Sequence, residues 1–495
     1  MRVFLLRKMP LALLLRRAES QELHRHMGVC SLTLMGVGGT VGAGIFVLTG
    51  TAAAQYAGPA IAISFLLAGL ACLFAGLCYA ELASAIPVAG SAYTYAYASL
   101  GELVAWIIGW NLVLEYLCSA AAVAIGWSVY FTTLLQEFGI AIPFSVRLPA
   151  LTLHLHGTWH VGFSVNVLAA LVILLVSWAL SLGVRKSTSL NAAVVTLKIS
   201  IVLAVIVFGA QFVHLENWVP FIPPNRGAFG EFGWSGVARG AGIAFFAYIG
   251  FDMLSSSAQE ARQPARTVPL SLFLTLMICT VLYVGMSMVL TGITPYRELN
   301  VANPVFVALK YAGPRLAWLR PLVSLGIVVG LFAGIFLTLY GQTRIFYSMS
   351  KDGLIHPVFC RVHPKTKNPA VATWLVGLAA ALVASTLPLQ VIGELVSIGT
   401  LLAFSIVCVG LLVLRRAAPD LHRPFRTPCA VAVATLGIGT CFYLIVSLPP
   451  ATCVRFLVWL LVGLFVYLFY GRRHSRLATE CPGRAHSGAE FPRSP

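Results

Sequence analysis

Two apolar runs, each long enough to cross a bilayer, are broken by glycine at corresponding positions in the two halves of the chain. The first break is Gly36-Val37-Gly38-Gly39-Thr40-Val41-Gly42-Ala43-Gly44-Ile45-Phe46, inside an apolar run from Val29 to Ala54. The second is Gly240-Ala241-Gly242-Ile243-Ala244-Phe245-Phe246-Ala247-Tyr248-Ile249-Gly250-Phe251-Asp252. Glycine costs a helix interior roughly 0.5–1 kcal/mol relative to alanine. Irregular backbone at membrane depth survives only where it lines a cavity or is buried in protein. A matched pair of such interruptions is the sequence signature of a solute-binding site in a transport protein. Close helix packing is the competing explanation, since Gly38-x3-Gly42 also fits a small-xxx-small pattern. Packing alone does not require five glycines between Gly36 and Gly44.

Composition agrees with a membrane chain. Charged residues make up 10% of the 495, hydrophobic residues 59%, against about 25% charged in ordinary soluble proteins. The mean hydropathy is +0.89. Apolar runs near the roughly 20 residues that span a bilayer fall at about 29–54, 59–83, 101–135, 162–183, 190–213 and 236–258. A second set falls at about 268–292, 317–346, 370–386, 391–414, 429–448 and 453–471. Twelve spans are therefore predicted, the third and eighth long enough to extend past the hydrocarbon.

With twelve spans, 24 of the 33 lysines and arginines fall on the side that holds both termini, and eight on the opposite side or its edge. The positive-inside rule then predicts cytoplasmic termini in a plasma-membrane protein. The net charge of +17 is accounted for by this topology, and a nucleic-acid partner is not expected. Met1–Arg17 has a short apolar core broken by Pro10 and closed by Arg16-Arg17, which favours a membrane-surface segment over a cleaved signal. The polar tail from Gly471 to Pro495 reads as disordered.

Catalysis finds no local support, because G-x-S-x-G, Walker A and HExxH sequences are absent. The eleven cysteines show no CxxC spacing, so neither a disulfide framework nor a zinc site is expected. His154-x-His156-x3-His160 falls in a predicted outer loop and reads as a polar loop, with metal binding as the alternative. No metal or cofactor is expected. The absence of an N-x-S/T sequon is compatible with a bacterial source.

Several longer pieces carry a family resemblance: Gly42-Ala43-Gly44-Ile45-Phe46-Val47-Leu48-Thr49-Gly50, Tyr79-Ala80-Glu81-Leu82, Pro87-x-Ala89-Gly90-Ser91-Ala92-Tyr93 and Gly109-Trp110-Asn111-Leu112-Val113-Leu114-Glu115-Tyr116. Further along stand Ala247-Tyr248-Ile249-Gly250-Phe251-Asp252, Gly341-Gln342-Thr343-Arg344, Lys351-Asp352-Gly353-Leu354 and Pro419-Asp420-Leu421-His422-Arg423-Pro424-Phe425-Arg426. In order and spacing the chain resembles the amino acid–polyamine–organocation superfamily, and within it the bacterial relatives of the cationic amino acid transporters. One departure is Gln259-Glu260-Ala261-Arg262-Gln263-Pro264, where the family usually reads Glu-Glu-x-Lys/Arg-Asn-Pro. The loop is cytoplasmic, so the change bears on gating contacts more than on substrate contacts.

The resemblance implies an all-α membrane protein of the LeuT type: a 5+5 inverted repeat with two broken helices and two peripheral spans. The implied units are a cytoplasmic segment (1–27), two repeats (28–213 and 236–414), spans 11–12 (429–471) and a cytoplasmic tail (472–495). Its implied activity is import of amino acids in symport with protons. An exchanger stays open, as does a non-concentrating amino acid sensor or channel. Neither the particular amino acid nor any protein partner follows from the sequence.

A half-helix that starts at the first break offers free N–H groups and a positive dipole end, which suit a carboxylate. Gly42, Ala43 and Gly44 are the expected donors. Carbonyls near Phe246, Ala247 and Ile249 are the expected acceptors for an α-ammonium group. Phe246 resembles the family's aromatic gate, a plain core phenylalanine being the alternative. Lys198 lies within an apolar span, where ionisable residues are costly and tend to be functional. In sodium-independent relatives a lysine at the matching place substitutes for a sodium ion, so Lys198 is the candidate for proton coupling. The competing reading is a lysine that snorkels to the membrane face. Glu115 and Asp252 could pair with Lys198, hold a helix end or select a cationic side chain, with capping of the second half of span 6 favoured for Asp252. Glu81, Arg239 and Glu394 read as interface anchors.

Overall fold

The computed structural model describes residues 8–9, 27–86, 91–140, 142–143, 149, 151–153, 159–161, 164–183, 188–256, 261–362 and 368–476. Among them, nine helical stretches are long and apolar enough to cross a membrane, and Val29–Thr40, Val167–Ser181 and Ala370–Thr386 are shorter apolar helices. They assemble into the twelve spans expected.

Span 1 is Val29–Thr40 followed, after a break, by 44–57. Gly58, with φ +61, turns the chain into span 2, Ile61–Ala85. Glu102–Glu137, Val167–Ser181 and Thr188–Gly209 are spans 3 to 5. Span 6 is Gly233–Ala244, a tight turn Phe245–Tyr248 and a short helix Met253–Ser256. Pro264–Ile293, Leu319–Lys351, Ala370–Thr386 and Leu389–Ala417 are spans 7 to 10. Ala430–Ser447 and Pro450–Val466, the latter continuing to His474, are spans 11 and 12. Spans 3 and 8 contain 36 and 33 residues, about 50 Å at 1.5 Å per residue, so both overrun the roughly 30 Å hydrocarbon. The arrangement is the LeuT-type fold, with span 3 packed against spans 8 and 10 and span 2 against span 7.

Four features were not anticipated. Ser91–Ser99 and Pro304–Tyr311 are short helices between spans, below the length that an apolar-run search finds. Leu151–Leu153 pairs antiparallel with Trp159–Val161, a small ribbon on an otherwise helical molecule. The expected disorder from Gly471 onward needs correction. Gly471 closes a turn of span 12 and Ser475 is fully buried, because Ser475 Oγ donates to the Glu102 carboxylate at 2.6 Å. Residues 477–495 and, apart from Lys8 and Met9, the membrane-surface segment expected at Met1–Arg17 lie outside the described residues.

Span 12 is fastened along span 3. The indole N–H groups of Trp106 and Trp110 donate to the Gly463 and Trp459 carbonyls, both at 2.9 Å. Trp459 Nε1 donates back to the Trp110 carbonyl at 3.3 Å, and the Trp110 and Trp459 rings stack at 4.6 Å. The Tyr97 and Tyr467 hydroxyls join Ser475 on Glu102, at 3.2 and 3.0 Å. A buried carboxylate needs several donors to offset lost hydration, and here span 12 and the residue just after it supply two of three.

Glu81 is a second buried anchor, at the end of span 2. It accepts a bidentate pair from Arg415 at 2.8 and 2.6 Å and the Thr427 N–H at 2.7 Å. Arg423 Nε lies 3.4 Å from it. The Arg423 guanidinium also donates to the carbonyls of Leu414, Ala418, Pro419 and Leu421. Helix ends leave their last carbonyls without intrahelical partners, and Arg423 bonds one of these, Leu414, together with three carbonyls of the chain that follows span 10. Glu394 bonds Thr452 and lies 3.7 Å from Arg455, while Arg239 donates to the Ser447 carbonyl. These residues hold spans 11 and 12 against the ten-helix body.

Candidate functional site

Span 1 breaks where Val41 turns extended, with φ −72 and ψ 104. The chain resumes as Gly44–Leu48, wound as a π-helix, a distortion frequent at functional sites. Span 6 breaks where Ile249 turns extended and Gly250 takes φ +110, a left-handed conformation that favours glycine. The two breaks touch each other directly. A Cβ on Gly250 would lie 2.7 Å from the Gly39 carbonyl oxygen, and one on Gly44 only 2.3 Å from Ala247 Cα. By contrast, a Cβ on Gly42 would meet nothing within 4 Å. Packing and access are thus divided among the glycines: Gly36, Gly38 and Gly44 permit close approach, and Gly42 leaves space open.

Beside the breaks is a cavity of about 50 Å³. One wall is the broken backbone, Gly39 to Gly44 with Phe246, Ile249 and Gly250. The rest of the lining comes from span 3 (Glu115, Tyr116, Ser119, Val123) and span 8 (Gly330, Leu331, Gly334, Leu337, Thr338), with Lys198 and Met253 completing it. The N–H groups of Gly42, Ala43 and Gly44 stand at the start of a half-helix, where the first four donors have no preceding turn to bond.

Of the residues expected from sequence, Gly42, Ala43, Gly44, Lys198, Glu115, Phe246 and Ile249 line this cavity. Ala247 does not. Its Cα packs on Gly44, and its carbonyl accepts the Tyr283 hydroxyl at 2.8 Å. Asp252 also lies outside the wall. Its Oδ2 accepts from Ser91 Oγ at 3.3 Å, across to the Ser91–Ser99 helix. His154 and His156 lie outside the described residues. No group of three His, Cys, Asp or Glu suited to a metal occurs among the described residues.

Lys198 is 3% exposed and aims its ammonium at the first break rather than at a membrane face. Nζ donates to the Gly38 carbonyl at 3.0 Å and the Val41 carbonyl at 2.9 Å. These belong to the last turn of the first half-helix, where carbonyls lose their partners and the dipole end is negative. Close approach is possible because Gly38 faces Val195, one turn away on span 5, and Gly330 of span 8 faces the lysine stem. Glu115 Oε2 accepts from Thr400 Oγ1 at 2.7 Å, which ties span 3 to span 10.

Sequence reasoning did not anticipate Ser119, Thr338, Met253 or the span 8 glycines. The available signals were Ser119 at i+4 from Glu115, on the same helix face, and Gly330-x3-Gly334 mirroring Gly38-x3-Gly42.

A sequence-family model described as amino acid permease matches residues 27–469. The chain belongs to the amino acid permease family. A branched-chain amino acid permease of Bacillus subtilis is 43% identical over 458 residues, 92% of this chain and 95% of that one. A methylthioribose transporter of the same organism is 42% identical over 473 residues, 96% and 99% of the two chains. The vacuolar cationic amino acid transporter 4 of Arabidopsis thaliana is 37% identical over 407 residues, 82% of this chain and 66% of that one. The permease is therefore a membrane transport protein of the amino acid–polyamine–organocation superfamily, not an enzyme. Its cavity lies where the two glycine-broken spans of that fold meet.

Proposed function

We propose that the permease is a secondary active transporter that imports amino acids across the plasma membrane in symport with protons. The substrate carboxylate meets the N–H groups of Gly42, Ala43 and Gly44, and its α-ammonium meets carbonyls near Phe246 and Ile249. Opposite helix ends thus hold a zwitterion with no buried charged side chain spent on it. Phe246, in the cavity wall, closes over the substrate. The moving machinery comprises residues 28–213 and 236–414, and both termini face the cytoplasm.

The observation that carries the coupling is the Lys198 ammonium on the Gly38 and Val41 carbonyls. It places one fixed positive charge at a broken-helix end, where a sodium ion would otherwise complete the electrostatics. When Lys198 loses its proton, that bridge between span 5 and the first break loosens. Names of relatives do not settle the substrate, since those at 42–43% identity include a branched-chain amino acid permease and a methylthioribose transporter.

Reconstituted in proteoliposomes, the permease accumulates amino acid under an inward proton gradient, and replacing sodium by choline leaves the rate unchanged. A strict requirement for sodium overturns the proton reading. Uptake that never exceeds equilibrium, yet is stimulated by amino acid inside, establishes an exchanger instead. A reporter fused after Pro495 reads the cytoplasm, and an exterior signal would mean that one span is miscounted.

A further inference from the structure

Three aliphatic hydroxyls stand in the cavity wall among the described residues, and they are not equivalent. Thr40 Oγ1 donates to the Gly36 carbonyl at 2.7 Å, and Thr338 Oγ1 to the Gly334 and Ile335 carbonyls at 3.0 Å. Both are committed to their own helices, as Ser and Thr commonly are. Ser119 is 7% exposed, and its Oγ has no hydrogen-bond partner. A buried hydroxyl left unpaired costs about 1–3 kcal/mol, so its retention in a ligand cavity calls for a partner that arrives with the ligand. One turn earlier on the same face of span 3 lies Glu115, also in the wall. Its Oε2 is taken by Thr400, which leaves Oε1 for the cavity.

We infer that Ser119, with Glu115 Oε1, forms a side-chain subsite that favours substrates bearing a hydrogen-bonding group on the side chain over aliphatic ones of equal size. This rests on the reading that the cavity takes an amino acid. With the α-groups on the broken backbone, the lining left for the substrate side chain comes mainly from spans 3 and 8. There Val123, Leu331 and Leu337 supply apolar contact that does not discriminate between isosteres. Discrimination falls to Ser119 and Glu115, because a polar site rejects an analogue that leaves its groups unpaired far more strongly than an apolar site rejects an extra hydroxyl.

The test is competition between isosteric pairs, threonine against valine and asparagine against leucine, for uptake into proteoliposomes containing the full-length permease. The wild type favours threonine and asparagine over their partners by about tenfold or more, and Ser119→Ala brings both ratios toward one. Ser119→Thr keeps a hydroxyl and restores the threonine preference. Wild-type ratios at or below one overturn the inference, and this comparison needs no variant to fold. Ratios unchanged by Ser119→Ala in a variant that transports also overturn it. Failure of the wild type to take up any amino acid would instead refute the proposed function.

Discussion

Permease carrying Lys198→Met is expected to bind amino acid and yet fail to concentrate it. With one proton per substrate and the membrane potential held at zero, an inward gradient of one pH unit supports at most about tenfold accumulation. The variant should equilibrate, an internal-to-external ratio near one. Methionine keeps the stem that packs on Gly330 and removes the titrating group. It also removes the donor to the Gly38 and Val41 carbonyls, at about 1–3 kcal/mol for each group left unpaired. A lower melting temperature in detergent is therefore expected, and substrate should still raise it, since ligand that binds the folded state stabilises it. Wild-type accumulation by this variant would leave Lys198 as a structural pin.

The second large effect separates two glycines two residues apart. Gly44→Val should weaken substrate binding by about 5–150-fold, equivalent to the 1–3 kcal/mol typical of overpacking. A side chain at this position runs into the Ala247 backbone at 2.3 Å and forces the two breaks apart. The fold therefore suffers along with the site, whereas a sequence view places the valine in the path of the carboxylate and leaves the fold intact. Gly42 is where that reasoning applies. Space beyond its Cα is open to the cavity, so Gly42→Ala should leave thermal stability within a few degrees of wild type while lowering affinity about tenfold. Wild-type uptake by Gly42→Ala would remove this stretch from the carboxylate site.

Legibility followed the physical reach of each signal. Hydrophobic run length found the spans, because a bilayer imposes one length on every helix that crosses it, and the ninth span falls at Ala370–Thr386 as the apolar run predicts. The breaks were visible because glycine clusters are costly in helices without a function. Lys198 stood out because a lone cation in an apolar run demands an explanation. What stayed hidden depends on helices meeting far apart in sequence. The Ala247 carbonyl is expected to accept from the substrate ammonium, yet the Tyr283 hydroxyl, 36 residues away, already donates to it. Asp252, which reads as a local cap before Met253–Ser256, also reaches with its carboxylate to Ser91, 161 residues earlier. Ser119 looked like any small residue in an apolar helix until Thr40 and Thr338 were seen bonded to their own backbones.

The fastening of span 3 to span 12 has a consequence for biosynthesis. Glu102 leaves the ribosome 365 residues before Tyr467 and 373 before Ser475. At about 5–20 residues per second, roughly 20–70 s pass before its last two donors are made. Throughout that interval nine further spans must enter the bilayer around a carboxylate with incomplete hydrogen bonding, and two indoles have yet to find their carbonyls. A nascent chain that stalls before span 12 retains this polar flaw however well its first ten helices have packed. The final helix therefore closes the structure in time as well as in space, and a truncated product carries at Glu102 a defect that distinguishes it from a finished one.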